Sequence, residues 1–238
     1  MSSPRADSLG VSGSSGVRWE LVSALEDLLN RGIVPVVPRY GSVGASGDLM
    51  PSAYIARALF GMGQVDYQGR RMPADEALRA AGLASIRFAP KEGLALINGT
   101  TGMTAFAALL WVDAWRVLHA LLGAVALAIE ALQAPSEPYR PWVHESKGHP
   151  GQIAVAAYVR GLLAGSGFVK ESSSQSCYSL RCVPQGLGLA WEALEASRAT
   201  VEREINSAND NPLIDPDTGA CTARVISMEA TSRGCWTV

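Results

Sequence analysis

The tripeptide with the most unusual chemical potential is Ala45-Ser46-Gly47, in the stretch GSVGASGDL at residues 41–49. Gly44 and Gly47 permit a positive φ and a close approach of the backbone to itself, so the amide nitrogen of Gly47 could reach the carbonyl carbon of Ala45. Ring closure, which releases the Ala45 carbonyl oxygen as water, and loss of the Ser46 hydroxyl as a second water would leave an exocyclic methylene conjugated to the ring carbonyl. Such a group is an electrophile, which ordinary side chains do not provide. The alternative interpretation is a plain Gly/Ser turn, which these three residues alone do not exclude.

Four further blocks accompany this stretch in a fixed order. The five blocks are GSVGASGDLMP (41–51), KEGLALINGT (91–100), GHPGQ (148–152), QSCYSLRCVPQ (175–185) and EINSANDNPLI (204–214). Together they resemble the aromatic amino acid lyase family, which contains histidine, phenylalanine and tyrosine ammonia-lyases and related 2,3-aminomutases. The resemblance runs from about residue 5 to residue 219. It implies that Ala45, Ser46 and Gly47 cyclise unaided into 4-methylideneimidazol-5-one (MIO).

The same resemblance implies roles for four polar residues. Arg181 matches the arginine that binds the substrate carboxylate, where a planar guanidinium can donate two parallel hydrogen bonds. Tyr178 and Gln175 match residues near the MIO ring and the substrate amine. Asn98 matches the asparagine that donates to the MIO oxygen, in the manner of an oxyanion hole. The structural alternatives are a salt bridge for Arg181, satisfied buried polar groups for Tyr178 and Gln175, and a helix N-cap for Asn98.

The activity implied by the resemblance is ammonia elimination or 2,3-amine migration on an aromatic L-amino acid. The amine would add to the MIO methylene and a base would remove the β-proton, without pyridoxal phosphate. The loop VHESKGHPGQ at residues 143–152 looks more like the tyrosine and phenylalanine aminomutases, so tyrosine is the preferred substrate and histidine the alternative. The chain is about half the family's length. The family's base-bearing tyrosine loop and C-terminal helices have no counterpart in it, so a catalytically silent helical fragment is a further alternative.

Composition restricts the class of partner and the compartment. The 238 residues carry a net charge of −2 and a pI near 5.9, which does not favour nucleic-acid binding. Four cysteines lack paired metal-ligand spacing and are too few for a disulfide framework in a chain of this length. The first ten residues lack the basic-then-apolar order of a secretory signal. We expect a reduced, cytoplasmic protein.

A long apolar segment and three histidines each allow a misleading interpretation. Residues 104–134 exceed the roughly 20 apolar residues that a bilayer requires, but Asp113, Arg116 and His119 lie within them. We therefore expect a soluble bundle helix that is buried on most sides. His119 is expected to pack in a core. His144 and His149 lie five apart in a loop with no carboxylate or cysteine pattern to complete a zinc site, so we predict no metal.

Apolar periodicity predicts helices over residues 20–29, 48–62, 73–82, from about 102 to 135, 152–163 and 187–207, and a hairpin around 67–71. The segment 32–38 is expected to be extended and 135–148 to be a loop. The fold class is therefore mainly α, in a single domain over residues 1–238. The resemblance implies a bundle of long near-parallel helices that is truncated at both ends here and that forms a homotetramer in the full-length protein.

Two departures from the family pattern stand out. The family usually has Gln-Asp where this chain has Gln175-Ser176. After Gly219 the resemblance stops. If the codons from Ala220 onward are read one base out of register, they can encode the peptide LHGAGNFYGGHVA, which is similar to the HGGNF-type segment that follows at this place in the family. A single-base slip in the gene or its sequencing would explain the tail at residues 220–238. The coding DNA tests this hypothesis.

Overall fold

The computed structural model describes residues 13–42, 49–169, 175–210 and 212–222. The helices in these ranges are α1 (Trp19–Asn30), α2 (Leu49–Leu59), α3 (Ala74–Ala80), α4 (Glu92–Ile97), α5 (Thr101–Ala131), α6 (Pro141–Glu145), α7 (Pro150–Leu162), α8 (Tyr178–Arg181) and α9 (Val183–Ile205). The strands are β1 (Val34–Pro35), β2 (Gln64–Tyr67), β3 (Arg70–Pro73), β4 (Leu213–Ile214) and β5 (Cys221–Thr222). The prediction of a mainly helical chain is confirmed.

The chain forms two compact units, each with its own core. Unit 1 contains residues 1–107 and 200–238, and unit 2 contains residues 108–199. In unit 1, the antiparallel strands β1, β2 and β3 form a small sheet, in which Val65 of β2 lies opposite Met72 of β3. The pair β2–β3 is the hairpin that the sequence predicts.

The core of unit 1 is built on the apolar stripe of α1. Leu21, Leu25 and Leu28 are spaced at four and three residues, so they share one helix face, and each is at most 4% exposed. They belong to one apolar cluster with Leu59 of α2, Val65 of β2, Leu78 of α3 and Leu96 of α4. Burial of each such leucine contributes about 1.5–3 kcal/mol to stability. This cluster supports α4, the helix that ends at Asn98.

Unit 2 contains most of α5, together with α6, α7, α8 and most of α9. Leu118, Leu122 and Ile129 form the buried stripe of α5 and belong to one cluster with Val155 and Val159 of α7. The backbones of α7 and α9 approach closely at Gly188, where a Cβ atom would lie 2.6 Å from the Gln152 nitrogen. A residue with a side chain at position 188 would therefore force the two helices apart.

The expectation that α5 is buried on most sides is wrong for the described chain. Large apolar side chains on its remaining faces are exposed, including Phe106 at 62%, Val117 at 66% and Leu127 at 68%. The reason is that the cluster in unit 2 covers one stripe of this helix. By length and composition alone, the helical segment Glu92–Ala131 could cross a membrane, and 22% of its apolar window is buried. Asp113 and Arg116, within that segment, form an exposed ion pair at 2.9 Å.

The prediction of a loop over residues 135–148 is also wrong in part. A 3₁₀ turn (Glu137–Tyr139) and the short helix α6 lie within it. Pro138 is the second residue of the 3₁₀ turn and Pro141 the first residue of α6, and a missing N–H group is tolerated in the first turn of a helix. The prolines that suggested a loop therefore begin short helices instead.

Candidate active site

The tripeptide Ala45-Ser46-Gly47 lies outside the described residues, which omit positions 43–48. Helix α2 begins at Leu49, directly after this gap. The cyclisation of Ala45, Ser46 and Gly47 into an electrophile therefore stays a prediction.

Asn98 is the residue that ends α4. Its backbone is extended (φ −89°, ψ 103°) and its N–H donates to the carbonyl oxygen of Leu94 at 2.8 Å. The first backbone bond of α5 runs from the Thr104 N–H to the Thr100 carbonyl at 2.9 Å, which makes Thr100 the N-cap of α5. The alternative role of Asn98 as the N-cap of the long helix is therefore wrong.

Thr100 is the centre of a buried polar cluster that sequence reasoning did not identify. Its side chain is fully buried, and its hydroxyl donates to Glu204 Oε1 while accepting from Asn209 Nδ2 at 2.9 Å. Thr104 Oγ1 donates to the Thr100 carbonyl oxygen, also at 2.9 Å. Glu204 and Asn209 lie in the block EINSANDNPLI, so the block was recognised although their roles were not. We refer to Thr100, Glu204 and Asn209 as the threonine cluster.

Two ion pairs hold the other end of α4. Lys91 precedes this helix in the left-handed region (φ 74°), and its ammonium donates to Asp210 Oδ2 at 2.5 Å and to the Ser15 carbonyl oxygen. Glu92 is 1% exposed and receives two hydrogen bonds from the Arg18 guanidinium, at 2.8 and 2.9 Å. These bonds, with further ones from the backbone N–H groups of Ala89 and Arg18, lower the pKa of Glu92 to about 2.

Tyr178 and Arg181 lie on α8, with the Arg181 Cζ atom 5.4 Å from the centre of the Tyr178 ring. The Tyr178 side chain is 71% exposed, and a hydrogen bond with Cys182 raises its pKa, so the phenol stays protonated at neutral pH. Gln175 is exposed and precedes α8. The structure thus brings Tyr178 and Arg181 together in unit 2, whereas Asn98 belongs to unit 1.

Two buried polar atoms near α8 have no hydrogen-bond partner among the described residues. They are Nε of Arg181 and Oε1 of Gln185. A buried donor or acceptor without a partner lowers the stability of the folded state by about 1–3 kcal/mol, so a ligand or another part of the protein that bonds to it is favoured. Arg181 Nε is a donor to which a carboxylate could bind. No signal in the sequence besides its place in the block QSCYSLRCVPQ distinguishes Gln185.

The histidines have structural roles where contacts are described. His144 is fully buried, with Nε2 2.8 Å from the Pro138 carbonyl oxygen and Nδ1 2.8 Å from Gln152 Nε2. Since the amide nitrogen can only donate, Nδ1 accepts and Nε2 carries the proton. The ring centres of His119 and Trp115 lie 5.3 Å apart, and His119 is half-buried rather than part of a core. The described residues contain no group of three side chains suited to hold a metal ion.

A family model and several known proteins match most of this chain. The family model described as "Aromatic amino acid lyase" matches residues 4–230, which extends past Gly219, where the sequence resemblance was expected to stop. Histidine ammonia-lyase of Myxococcus xanthus is 46% identical over 210 residues, which are 87% of this chain and 41% of that relative. The chain therefore spans about 41% of that relative's length.

Solved structures of the same family have similar folds. A phenylalanine aminomutase of Pantoea agglomerans is 34% identical, with a TM-score of 0.85 over 94% of this chain and 47% of that one. A phenylalanine ammonia-lyase of Rhodosporidium toruloides is 33% identical, with a TM-score of 0.88 over 96% of this chain and 36% of that one. The chain belongs to the aromatic amino acid lyase family.

Proposed function

We propose that the protein carrying this chain is an MIO-dependent ammonia-lyase or 2,3-aminomutase that acts on an aromatic L-amino acid. The observation that carries this proposal is the Arg181 guanidinium, whose Nε is buried and has no hydrogen-bond partner among the described residues. A carboxylate can accept two parallel hydrogen bonds from such a group, and these charge-assisted bonds are about twice as strong as neutral ones. An amino acid substrate supplies that carboxylate.

The residue types carried over from the family fit the chemistry of an MIO enzyme. The family is known to use MIO, which Ala45, Ser46 and Gly47 would form in this chain. Once formed, the group supplies the electrophile that an enzyme without pyridoxal phosphate needs to make an amine a better leaving group. The carboxamide of Asn98 is a hydrogen-bond donor of the type that stabilises negative charge on a ring oxygen.

The remaining residues bind and orient the substrate. Arg181 would bind the carboxylate, and Tyr178, one turn away, would donate a hydrogen bond because its raised pKa keeps the phenol protonated. Gln175 would contact the amine. None of these three residues is a base at neutral pH, so the group that removes the β-proton must come from another part of the protein.

The substrate ring is proposed from relatives. Histidine is our first candidate, since the histidine ammonia-lyases of Myxococcus xanthus and Geobacillus are 46% and 45% identical to this chain. Tyrosine, which the form of the loop at residues 143–152 favours, is the second candidate, and a tyrosine aminomutase of Streptomyces globisporus is 32% identical. Both are aromatic α-amino acids, so the carboxylate argument applies equally to each.

The exposed apolar faces of α5 support an assembly. Leu109, Leu110 and Val117 are each more than half exposed on this one helix, and large exposed apolar patches are rare on soluble monomers. We propose that these faces are covered in a cytoplasmic homotetramer of the whole protein. If the 238 residues are produced by themselves, these apolar faces stay uncovered, and we expect low solubility and low activity. This outcome corresponds to the alternative of a catalytically silent fragment.

The test is an assay of the natural gene product that carries this sequence, with L-histidine, L-tyrosine and L-phenylalanine. An unsaturated acid with free ammonia identifies a lyase, and a β-amino acid identifies a mutase. The 238 residues alone are assayed in parallel to test the silent alternative. Absence of both products from all three substrates, in a protein whose mass shows the MIO modification, would overturn the proposed activity.

A further inference from the structure

We propose that the threonine cluster positions Asn98, so that Thr100, Glu204 and Asn209 are positioning residues for the reaction. This inference rests on the proposed function, because it gives the Asn98 carboxamide a reacting group to meet. The residues on both sides of α4 are bound by one short segment. Asn209 and Asp210 are adjacent in sequence; Asp210 binds Lys91, which precedes this six-residue helix, and Asn209 binds Thr100, three residues after its last residue.

The first end is held by Lys91, which donates to Asp210 Oδ2 at 2.5 Å. Beyond the other end, Thr100 accepts a hydrogen bond from Asn209 Nδ2 at 2.9 Å. A helix of six residues is about 9 Å long, so the two bonds from residues 209 and 210 are made to positions on either side of a short element. The segment at residues 209–210 therefore links the residues that flank α4 on its two sides.

Asn98 lies between two anchored points. On its N-terminal side its own N–H is bound to the Leu94 carbonyl oxygen at 2.8 Å. On its C-terminal side the next residue but one, Thr100, is fully buried and bound by its hydroxyl and its carbonyl group. Gly99 alone separates the two anchors, so the backbone at Asn98 has little room to rotate. The direction of the Asn98 carboxamide depends on this restriction.

The hydroxyl of Thr100 has a dual role that few side chains can fill. Its O–H donates a hydrogen bond to Glu204 and its oxygen accepts one from the Asn209 amide, so the hydroxyl is used both as donor and as acceptor. A hydrogen bond to a charged carboxylate in a buried setting is stronger than one between neutral groups. The partners are 104 and 109 residues from Thr100 in sequence, so the cluster is a tertiary contact rather than a local turn.

The experiment compares Thr100→Val, which keeps the shape and removes the hydroxyl, with Thr100→Ser, which keeps the hydroxyl. Thr200→Val on α9 is the matched control, because it makes the same substitution outside the cluster. In the natural gene product we expect Thr100→Val to lower kcat per MIO-bearing chain about tenfold with KM unchanged. Thr100→Ser is expected to remain within about twofold of the wild type.

A double-mutant cycle distinguishes positioning from general destabilisation. In an Asn98→Ala background, Thr100→Val should cause no further loss of kcat, because the residue that it positions is already gone. Additive losses in the double variant would overturn the proposal, as would a Thr100→Ser variant as impaired as Thr100→Val. If Thr100→Val fails to fold, Glu204→Gln replaces it in the experiment, because it weakens the same hydrogen bond. We expect Glu204→Gln to lower kcat about threefold in the wild-type background and to cause no loss of kcat in the Asn98→Ala background.

Hydrogen exchange of the backbone amides at residues 98–102 provides a readout that does not depend on activity. Thr100→Val should lose protection at these amides, whereas Thr100→Ser and Thr200→Val should keep it. Unchanged protection in Thr100→Val would overturn the proposal even in an inactive protein. If the wild type deaminates none of the three amino acids but shows the expected exchange pattern, the proposed function fails and the restriction on Asn98 stands.

Discussion

The ammonium group of Lys91 donates to the carboxylate of Asp210 at 2.5 Å, although the two residues are 119 positions apart in the chain. Asp210 is 1% exposed and the Lys91 side chain 17% exposed, so the pair is largely removed from water. Lys91 also has a positive φ of 74°, which a residue with a Cβ adopts only where its surroundings compensate. The ion pair thus connects the start of α4 to the segment that follows α9.

Lys91→Met should therefore destabilise the protein. It leaves the buried Asp210 carboxylate without its cation, and we expect the free energy of unfolding to fall by about 2–4 kcal/mol in urea denaturation. Asp210→Asn in the same background should recover part of this loss, because it removes the uncompensated charge. Lys147→Met, at an exposed lysine, is the control and should change stability by less than about 0.5 kcal/mol. A Lys91→Met variant as stable as this control would contradict the role of the pair.

Glu92 should govern stability in acid. Its pKa falls from 4.5 to about 2 in the folded chain, chiefly through the hydrogen bonds from Arg18. Because the folded state holds this proton less tightly than the unfolded state, its stabilisation is complete above pH 4.5 and is lost as the pH falls towards 2. Glu92→Gln should lower stability at pH 7 and flatten the decline between these values. Glu195→Gln, at an exposed carboxylate of α9, should leave both unchanged, and equal acid profiles for wild type and Glu92→Gln would contradict the prediction.

The sequence predicts most of the helices and the hairpin correctly where the spacing of apolar residues and the positions of turn-forming residues indicate the same element. Helix α1 was expected over residues 20–29 and is found at Trp19–Asn30, and the hairpin at 67–71 is found between β2 and β3. Helix α4 was not predicted, because six residues carry too little periodicity and its start depends on the left-handed Lys91. The burial of α5 was overestimated, since composition shows that a helix is apolar but not which faces have neighbours in the same chain.

The polar contacts of the site depend on tertiary structure and were beyond prediction from spacing. Asn98 and Arg181 were identified from their blocks, and their proposed roles stay predictions. Thr100 meets Asn209 across 109 residues, and no local pattern relates two positions at that separation. The pairing of His144 with Gln152, only eight residues apart, was not predicted for a different reason: one residue was expected in a loop and the other in a helix, and such neighbours need not touch.

Arg181→Lys should impair substrate binding more than it impairs folding. Lysine keeps the charge but cannot donate two parallel hydrogen bonds to a carboxylate. We expect kcat/KM of the natural gene product to fall at least about 100-fold, with most of the change in KM. Arg203→Lys, at an exposed position of α9, is the matched control and should keep full activity. Wild-type KM in Arg181→Lys would show that this guanidinium does not bind the carboxylate.

His144 should add a second, separate pH dependence near neutrality. Burial lowers its pKa below the ordinary 6.5, and the positive charges of Arg160 and Lys147 act in the same direction, against the hydrogen bond to the Pro138 carbonyl. The unfolded state therefore binds this proton more readily, and stability should fall as the pH drops below 6.5. Gln152→Glu replaces the donor to Nδ1 with an acceptor and should raise the His144 pKa, which NMR titration measures. A pKa at or above 6.5 in the wild type would contradict the buried neutral imidazole.

The intact mass of the purified protein, with a peptide map across residues 41–50, tests the central claim most directly. If Ala45, Ser46 and Gly47 form the MIO ring, the peptide that contains them will lack the mass of two waters. Ser46→Ala, which cannot lose its hydroxyl to form the methylene, is the control and should not show the full deficit. An unmodified mass for the wild-type peptide would contradict MIO-dependent chemistry in this chain and leave the tripeptide an ordinary turn.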